Sequence, residues 1–372
     1  DTMEKINSDN AFTLSTGDMV FICDNVKKRV PGSSMYTVYT DDDGNTTGED
    51  FKGENLITGT IKGVAENRTP TVYFLSGHGE KSLDSYTKFT TNLTNYNYAA
   101  KELNLSETDS VPDDAALVLV AAPSKDITDA EAEKLNAYLD NGGNISLLMS
   151  PNGGAFAYTN LEAIMKDYGF YMDYDRVSET NSNYHISGDK YTIQCELNEL
   201  DDDSEATDLT SSLLNQGLYT FMPESRSFRY NDEGGKYTIA PLITTYDSAE
   251  GEPYGGISDD PEKQSGQMLL AADSTSIARN DSKMVVFGNA EFIDDEHVSD
   301  DTVIVPVYLF LSTISWMYDS DIDMEISTKS TTNDYISLQD AGFAKGLMVV
   351  LTVIPVAIMA AGIGIWIKRR NS

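Results

Sequence analysis

Three side chains able to do acid–base or nucleophilic chemistry stand within one short stretch, Thr71-Val72-Tyr73-Phe74-Leu75-Ser76-Gly77-His78-Gly79-Glu80. Ser76, His78 and Glu80 supply a hydroxyl, an imidazole and a carboxylate, the parts of a nucleophile–base–acid relay. Their spacing works against that use. Residues two apart on one loop rarely present all three groups in relay order, and no G-x-S-x-G elbow surrounds the serine. Two other uses fit the same residues. In a structural one, the glycines permit the turn, Glu80 accepts N–H bonds near the next helix start and His78 hydrogen-bonds a neighbouring loop. In a binding one, His78 and Glu80 stand at the strand ends and contact a peptide, a glycan or another protein.

The elements needed to position these groups can be read from periodicity. Val72 to Leu75 run without polar alternation, as a strand covered on both faces does. Asn55 to Glu66 has helical spacing weakened by two glycines, and Leu83 to Tyr96 predicts a helix after the loop. Ala116 to Pro123 and Ile145 to Pro151 predict further buried strands. Between them, Thr128-Asp129-Ala130-Glu131 has capping-box spacing and Asn141-Gly142-Gly143 a stop. Leu161 to Tyr168 adds a helix ending at Gly169. The expected fold is therefore α/β, a mostly parallel sheet flanked by helices, which puts Ser76 to Glu80 at the carboxyl edge. Residues 1–67 are expected to form N-terminal strands and a helix of the same domain, and 68–170 the α/β core. A β-rich, loop-containing insertion over 171–282 precedes the return of the core over 283–318, including an apolar helix from Val305 to Met317. A polar spacer spans 319–345.

Charge and composition exclude several classes of function. Sixty acidic residues against 26 basic give a net charge of −34, which excludes a phosphate-tracking groove and makes nucleic acid no partner. Cys23 and Cys195 are too few for a disulfide scaffold and lack a CxxC spacing; two unrelated thiols are expected, with one structural bridge between them the alternative. The acidic clusters Asp41 to Asp43, Asp201 to Asp203, Asp294-Asp295-Glu296 and Asp319-Asp321-Asp323 lack EF-hand spacing and read as solvated surface charge, with weak calcium binding outside the cell the alternative. No metal and no cofactor are expected. Gly346 to Ile367 carries no charge and is long enough to cross a bilayer about 30 Å thick; Lys368-Arg369-Arg370 follows at once. The positive-inside tendency keeps 368–372 cytoplasmic and the acidic bulk of the chain outside. Asp1 is not an initiator methionine, so the start is read as a cut within a longer polypeptide.

The order of motifs resembles the GldG-type ABC-transporter auxiliary family across most of the chain. Tyr73 to Glu80 resembles that family's strand followed by GHGE. Val111-Pro112-Asp113-Asp114-Ala115, Asp140-Asn141-Gly142-Gly143 and Gly288-Asn289-Ala290-Glu291-Phe292 are similar to other parts of its pattern, as are Ser315-Trp316-Met317, Pro355 and the closing Trp366 to Arg370. The resemblance implies an amidotransferase-like α/β domain outside the membrane, a non-enzymatic accessory subunit of an ABC-2 type export complex whose permease and ATPase are separate chains. It adds Asn289 and Glu291 to Ser76, His78 and Glu80 as interface or binding candidates. The sequence departs from a catalytic pattern: Ser76 stands where an amidotransferase has its cysteine, and no G-x-x-x-x-G-K-[ST] loop is present. Ala360 and Gly364, small residues four apart, suit packing on a permease helix, with a plain lipid anchor the equal alternative. Capture of an extracellular ligand for the transporter is the alternative role; hydrolysis by the Ser76 to Glu80 loop is a further one.

Overall fold

The computed structural model describes residues 15–24, 26–40, 46–51, 53–65, 69–200, 208–216, 219–231, 235–256, 264–298, 301–318, 329–330 and 370. Three of the acidic clusters (41–43, 201–203 and 319–323), most of the expected spacer, and the apolar run 346–367 with Ala360 and Gly364 lie outside these residues. Among the described residues no helix is long and apolar enough to cross a membrane. The chain divides into two compact units, residues 1–37 with 51–329, and 38–50 with 330–372. In the second, the described residues 38–40 and 46–50 are strand. The first carries the candidate site.

In chain order the strands begin with β1 (Met19–Cys23) and β2 (Val26–Val30), an antiparallel hairpin, then β3 (Tyr36–Thr40) and β4 (Thr46–Phe51). The α/β portion follows as α1 (Gly53–Ala65), β5 (Thr71–Leu75), α2 (Thr87–Asn95), β6 (Ala99–Leu103), β7 (Ala115–Ala121), α3 (Asp129–Asp140), β8 (Ile145–Leu148) and α4 (Thr159–Lys166). Short strands come next: β9 (Phe170–Met172), β10 (Asp175–Glu179), β11 (His185–Ile186) and β12 (Asp189–Leu197). Helix α5 (Asp208–Gln216) leads to β13 (Thr220–Met222), β14 (Phe228–Tyr230), β15 (Tyr237–Thr244), β16 (Ala249–Pro253) and β17 (Gln264–Ser265). The last three elements of this unit's core are β18 (Leu269–Ser276), β19 (Ser282–Phe287) and α6 (Ile304–Met317).

The principal sheet runs in the order β11-β12-β15-β18-β19-β8-β7-β5-β6. Its half from β19 to β6 is parallel, with Val72 opposite Leu117 and Phe74 opposite Leu119. The other half is antiparallel. The expected sheet flanked by helices is present, parallel through the α/β core and mixed over its full width. The reason is local: only five residues join β18 to β19, with Asn280 and Asp281 both at φ 57°, too few for a parallel crossover.

Side chains alternate between two covered faces, as strand geometry requires. Val72, Phe74, Leu117, Leu119, Val285 and Phe287 join one core with Phe89 and Leu93 of α2 and Leu309, Phe310 and Ile314 of α6. Tyr73, Leu75, Val118, Val120, Leu147 and Val286 join the other, with Leu135 and Leu139 of α3 and Leu161 and Ile164 of α4. Phe310 is the aromatic centre of the first core. Its ring stacks on Phe89 at 5.6 Å and meets Phe287 and Phe292 edge-on at 5.6 and 5.9 Å. Because α6 is apolar nearly all round, it is buried rather than amphipathic.

Two expectations about helices change. The predicted helix over 83–96 divides into a 3₁₀ turn, Leu83–Tyr86, and α2. The α-helical start is fixed from a distance: the Asp295 carboxylate accepts the N–H groups of Thr87 and Lys88 at 3.1 and 2.8 Å, the work of an N-cap side chain. Gly59, expected to weaken α1, permits a close approach instead, since a Cβ there would stand 2.2 Å from the Asn95 carbonyl oxygen. At the amino edge, Asp114 accepts from Thr71 Oγ1, Tyr73 Oη and Lys101 Nζ at 2.8–2.9 Å, joining the starts of β5, β6 and β7. The Lys101 hydrogen bond leads the causes that hold its carboxyl at about 2.

Candidate functional site

Strand β5 lies between β6 and β7, so the chain leaves it toward one side of the sheet and later returns on the other. Helix α2 after β5 packs in one core and α3 after β7 in the opposite one. The carboxyl ends of β5 and β7 therefore form a topological switch point, where α/β sheets open a crevice. Ser76 to Glu80 occupy it.

The crevice is bridged by the loop itself. The His78 carbonyl accepts the N–H groups of Ser124 and Lys125 at 2.9 and 3.2 Å and the Ser124 hydroxyl at 3.1 Å. A Cβ on Gly79 would lie 1.8 Å from Ser124 Oγ, and Gly79 sits at φ +88°, so glycine is required on both counts. The His78 side chain turns inward and is 4% exposed. Its Nδ1 lies 3.2 Å from Glu80 Oε1 and its Nε2 3.1 Å from Glu131 Oε2; Glu80 Oε2 also accepts the His78 N–H at 2.7 Å.

Glu131 is the third residue of the α3 capping box. Its Oε2 accepts Thr128 N–H at 2.9 Å and Thr128 Oγ1 at 2.7 Å besides the imidazole. His78 thus ties the β5 loop to the α3 start through a carboxylate already fixed by the helix. The Glu80 hydrogen bond raises the His78 pKa above its ordinary value; burial opposes this and Glu131 reinforces it. Burial pushes Glu131 upward, but the Thr128 bonds and then His78 outweigh it and hold the carboxyl low.

A second loop meets the first. Lys81 Nζ lies 2.6 Å from Asp294 Oδ2, and His297 Nδ1 lies 2.7 Å from Asp294 Oδ1. The Asp294 side chain is 2% exposed, so Asp294 is an internal ion-pair member and not the solvated charge its acidic neighbours imply. Asp294, Glu296 and His297 could together offer atoms to a metal ion, but Lys81 and His297 already take up both Asp294 oxygens. Burial raises Asp294, yet the Lys81 and His297 bonds keep it below the ordinary value. Asn289 lies just upstream, buried, giving its Nδ2–H to the Glu224 carbonyl and accepting the Glu291 N–H, both at 2.5 Å.

The structure places Ser76, His78 and Glu80 on the β5 loop and Asn289 and Glu291 after β19, at the same edge but on loops whose strands are separated by β7 and β8. The Lys81–Asp294 pair links these loops. Ser76 Oγ does not complete a relay, because both imidazole nitrogens face carboxylates. In the sequence Glu131 reads only as a helix start and Asp294 only as solvated surface charge, and nothing marks Ser124 or Lys81. The capping box was the one local signal available, and the remaining partners are 46–213 residues apart. Cys23 and Cys195 are both free thiols.

Residues 69–306, more than half of the chain, match the family described as an ABC-type uncharacterized transport system, auxiliary component. The chain belongs to that family. As an auxiliary family member it is part of an ABC-type transport system. No curated protein matches the sequence. Solved structures similar to it include the mmIFT52 N-terminal domain, 16% identical with a TM-score of 0.48, covering 68% of this chain and 99% of that one. A putative GMP synthase component from Thermoplasma acidophilum is 7% identical with a TM-score of 0.33, covering 68% and 96%. The exo-β-1,4-mannosidase Op5Man5 from Opitutaceae bacterium strain TAV5 is 8% identical with a TM-score of 0.33, covering 75% and 40%. At TM-scores below 0.5 none of these likenesses fixes a fold family or an activity for this auxiliary family member.

Proposed function

We propose that this auxiliary protein is a non-enzymatic, membrane-anchored, extracytoplasmic subunit of a GldG-like ABC-2 type export complex, working by protein–protein contact at the carboxyl edge of its sheet. The observation that carries this reading is the filled switch point. Where a ligand-capturing or catalytic α/β domain leaves a crevice, His78, Ser124, Lys125 and Gly79 close it with hydrogen bonds and van der Waals contact. Engagement of both His78 ring nitrogens by buried carboxylates argues in the same direction against proton transfer from Ser76. Without a P-loop in the sequence, ATP hydrolysis falls to a separate chain of the complex.

The anchor is the uncharged run Gly346 to Ile367, with Lys368 to Arg370 on the cytoplasmic side. Ala360 and Gly364 form the face that packs on the permease. Affinity purification of the full chain from its native membranes tests the proposal. An ATPase and a permease should co-purify, and leucine at both 360 and 364 should reduce their recovery. Recovery of the chain free of transport proteins would overturn the complex, and undiminished recovery with both leucines would overturn the packing face.

A further inference from the structure

Arg226 is the largest fully buried side chain among the described residues, at 0% exposure, and most of its hydrogen-bonding capacity is unused. Its Nη2 donates to the Ser150 carbonyl at 3.0 Å; Nε and Nη1 have no partner. A buried guanidinium left this way is costly, because desolvation is repaid only when the remaining donors are satisfied. Its position is not incidental. Ser150 follows β8, and the Arg226 N–H donates to the carbonyl of Gly288 at 3.0 Å just beyond β19, so Arg226 lies at the carboxyl edge between two parallel strands.

The carboxylates whose charge reaches it are committed elsewhere. Asp175 accepts Ser227 N–H on one oxygen and Ser227 Oγ–H on the other at 2.9 and 2.7 Å, and Glu162 accepts the Tyr174 hydroxyl. The neighbouring Asp173 pairs with Arg229 at 2.8 Å. In a chain of net charge −34, this arginine has a carbonyl and two aromatic rings for company: its Cζ lies 5.6 and 5.4 Å from the ring centres of Tyr158 and Tyr174. Both ends of the segment 151–157 rest on it, Ser150 through its carbonyl and Tyr158 through its ring. That segment carries adjacent glycines, Gly153 and Gly154, and is tied down by Gly256 N–H on the Gly154 carbonyl at 3.0 Å and by Asn152 Nδ2–H on Tyr158 Oη at 3.4 Å.

We propose that Arg226 is the seat for an oxyanion, a carboxylate or a phosphate, which reaches the unused guanidinium donors when the 151–157 segment is displaced. The guanidinium fork suits such a group in a way that a lysine ammonium does not. The proposal deepens the contact-edge reading by naming the chemistry that the edge takes, and it rests on that reading. The titration below uses the isolated full chain, so it can succeed where co-purification fails, or fail where co-purification succeeds.

The full chain, purified in detergent, is titrated calorimetrically with inorganic phosphate and separately with acetate, each against sodium chloride at equal ionic strength. Nitrogen-15 spectra of the arginine side chains follow the same additions. Saturable binding of at least one anion is expected, with a shift of the Arg226 resonances. Phosphate alone identifies a free or phosphoryl source, acetate alone a partner's carboxylate. Arg226→Lys should weaken binding at least about tenfold, the loss of one charge-assisted hydrogen bond, and Arg226→Met should abolish it. Equal binding by wild type and Arg226→Met, or none by wild type beyond chloride, would overturn the proposal. If Arg226→Met does not fold, wild-type Arg226 resonances unmoved by either anion would overturn it by themselves.

Discussion

The imidazole of His78 sits between Glu80 and Glu131 almost without solvent contact, so its protonation state couples the β5 loop to the start of α3. Its folded-state pKa is raised above 6.5, which means its stabilising contribution is complete below that value and is lost as pH rises through the folded-state pKa. Glu131, held low, contributes stability that is lost on the acid side as pH falls through its folded-state value. Denaturant unfolding of wild type should therefore weaken on the alkaline side, and His78→Gln should remove that descent while destabilising the fold by about 3 kcal/mol at pH 6. An unchanged pH profile in the variant would contradict the buried carboxylate–imidazole bridge. Gly79→Ala should cost about 2 kcal/mol or more, from the positive φ and the collision with Ser124. Adding Ser124→Gly should recover the steric share alone, and a double-mutant cycle measures that coupling. The requirement for two glycines around the histidine was legible in the sequence; the partner across the crevice was not, because Ser124 is 46 residues downstream and carries no local mark.

Among the elements, the best-read were those whose signal is local. Strands β5, β7 and β8 are short unbroken apolar runs, and α3 carries both its capping box and its glycine stop, so composition alone placed them within a few residues. The antiparallel half escaped because pairing direction is set by connection length and register, which periodicity does not encode. Helix α2 shows the same limit: its true start depends on Asp295, 208 residues away, where an acidic run reads locally as surface charge. Helix α6 binds these parts together, since Phe310 joins α2 to β19 and to the turn that follows it. Phe310→Ala should destabilise by about 3–5 kcal/mol through lost burial and the cavity left behind, as measured by equilibrium denaturation. A loss under about 1 kcal/mol would contradict a continuous core on that face.

At the scale of the molecule, an acidic protein presents one end of its principal sheet as a closed, hydrogen-bonded surface, with the β5 and β19 loops joined by Lys81 and Asp294. The proposed role, holding a partner and not turning over a substrate, rests on that closed edge. Membership in an ABC-type transport family places the chain within such a transport system, and the edge is the proposed place of contact with it. Lys125 and Asp113 are both exposed and stand near opposite ends of β7, at the carboxyl and amino edges respectively. A photo-crosslinking amino acid placed at each position in turn, in the full chain within native membranes, compares the two edges directly. The contact-edge account predicts a crosslink from position 125 to a protein of the transport system and none from position 113. Crosslinking from 113 alone, or equally from both, would contradict it.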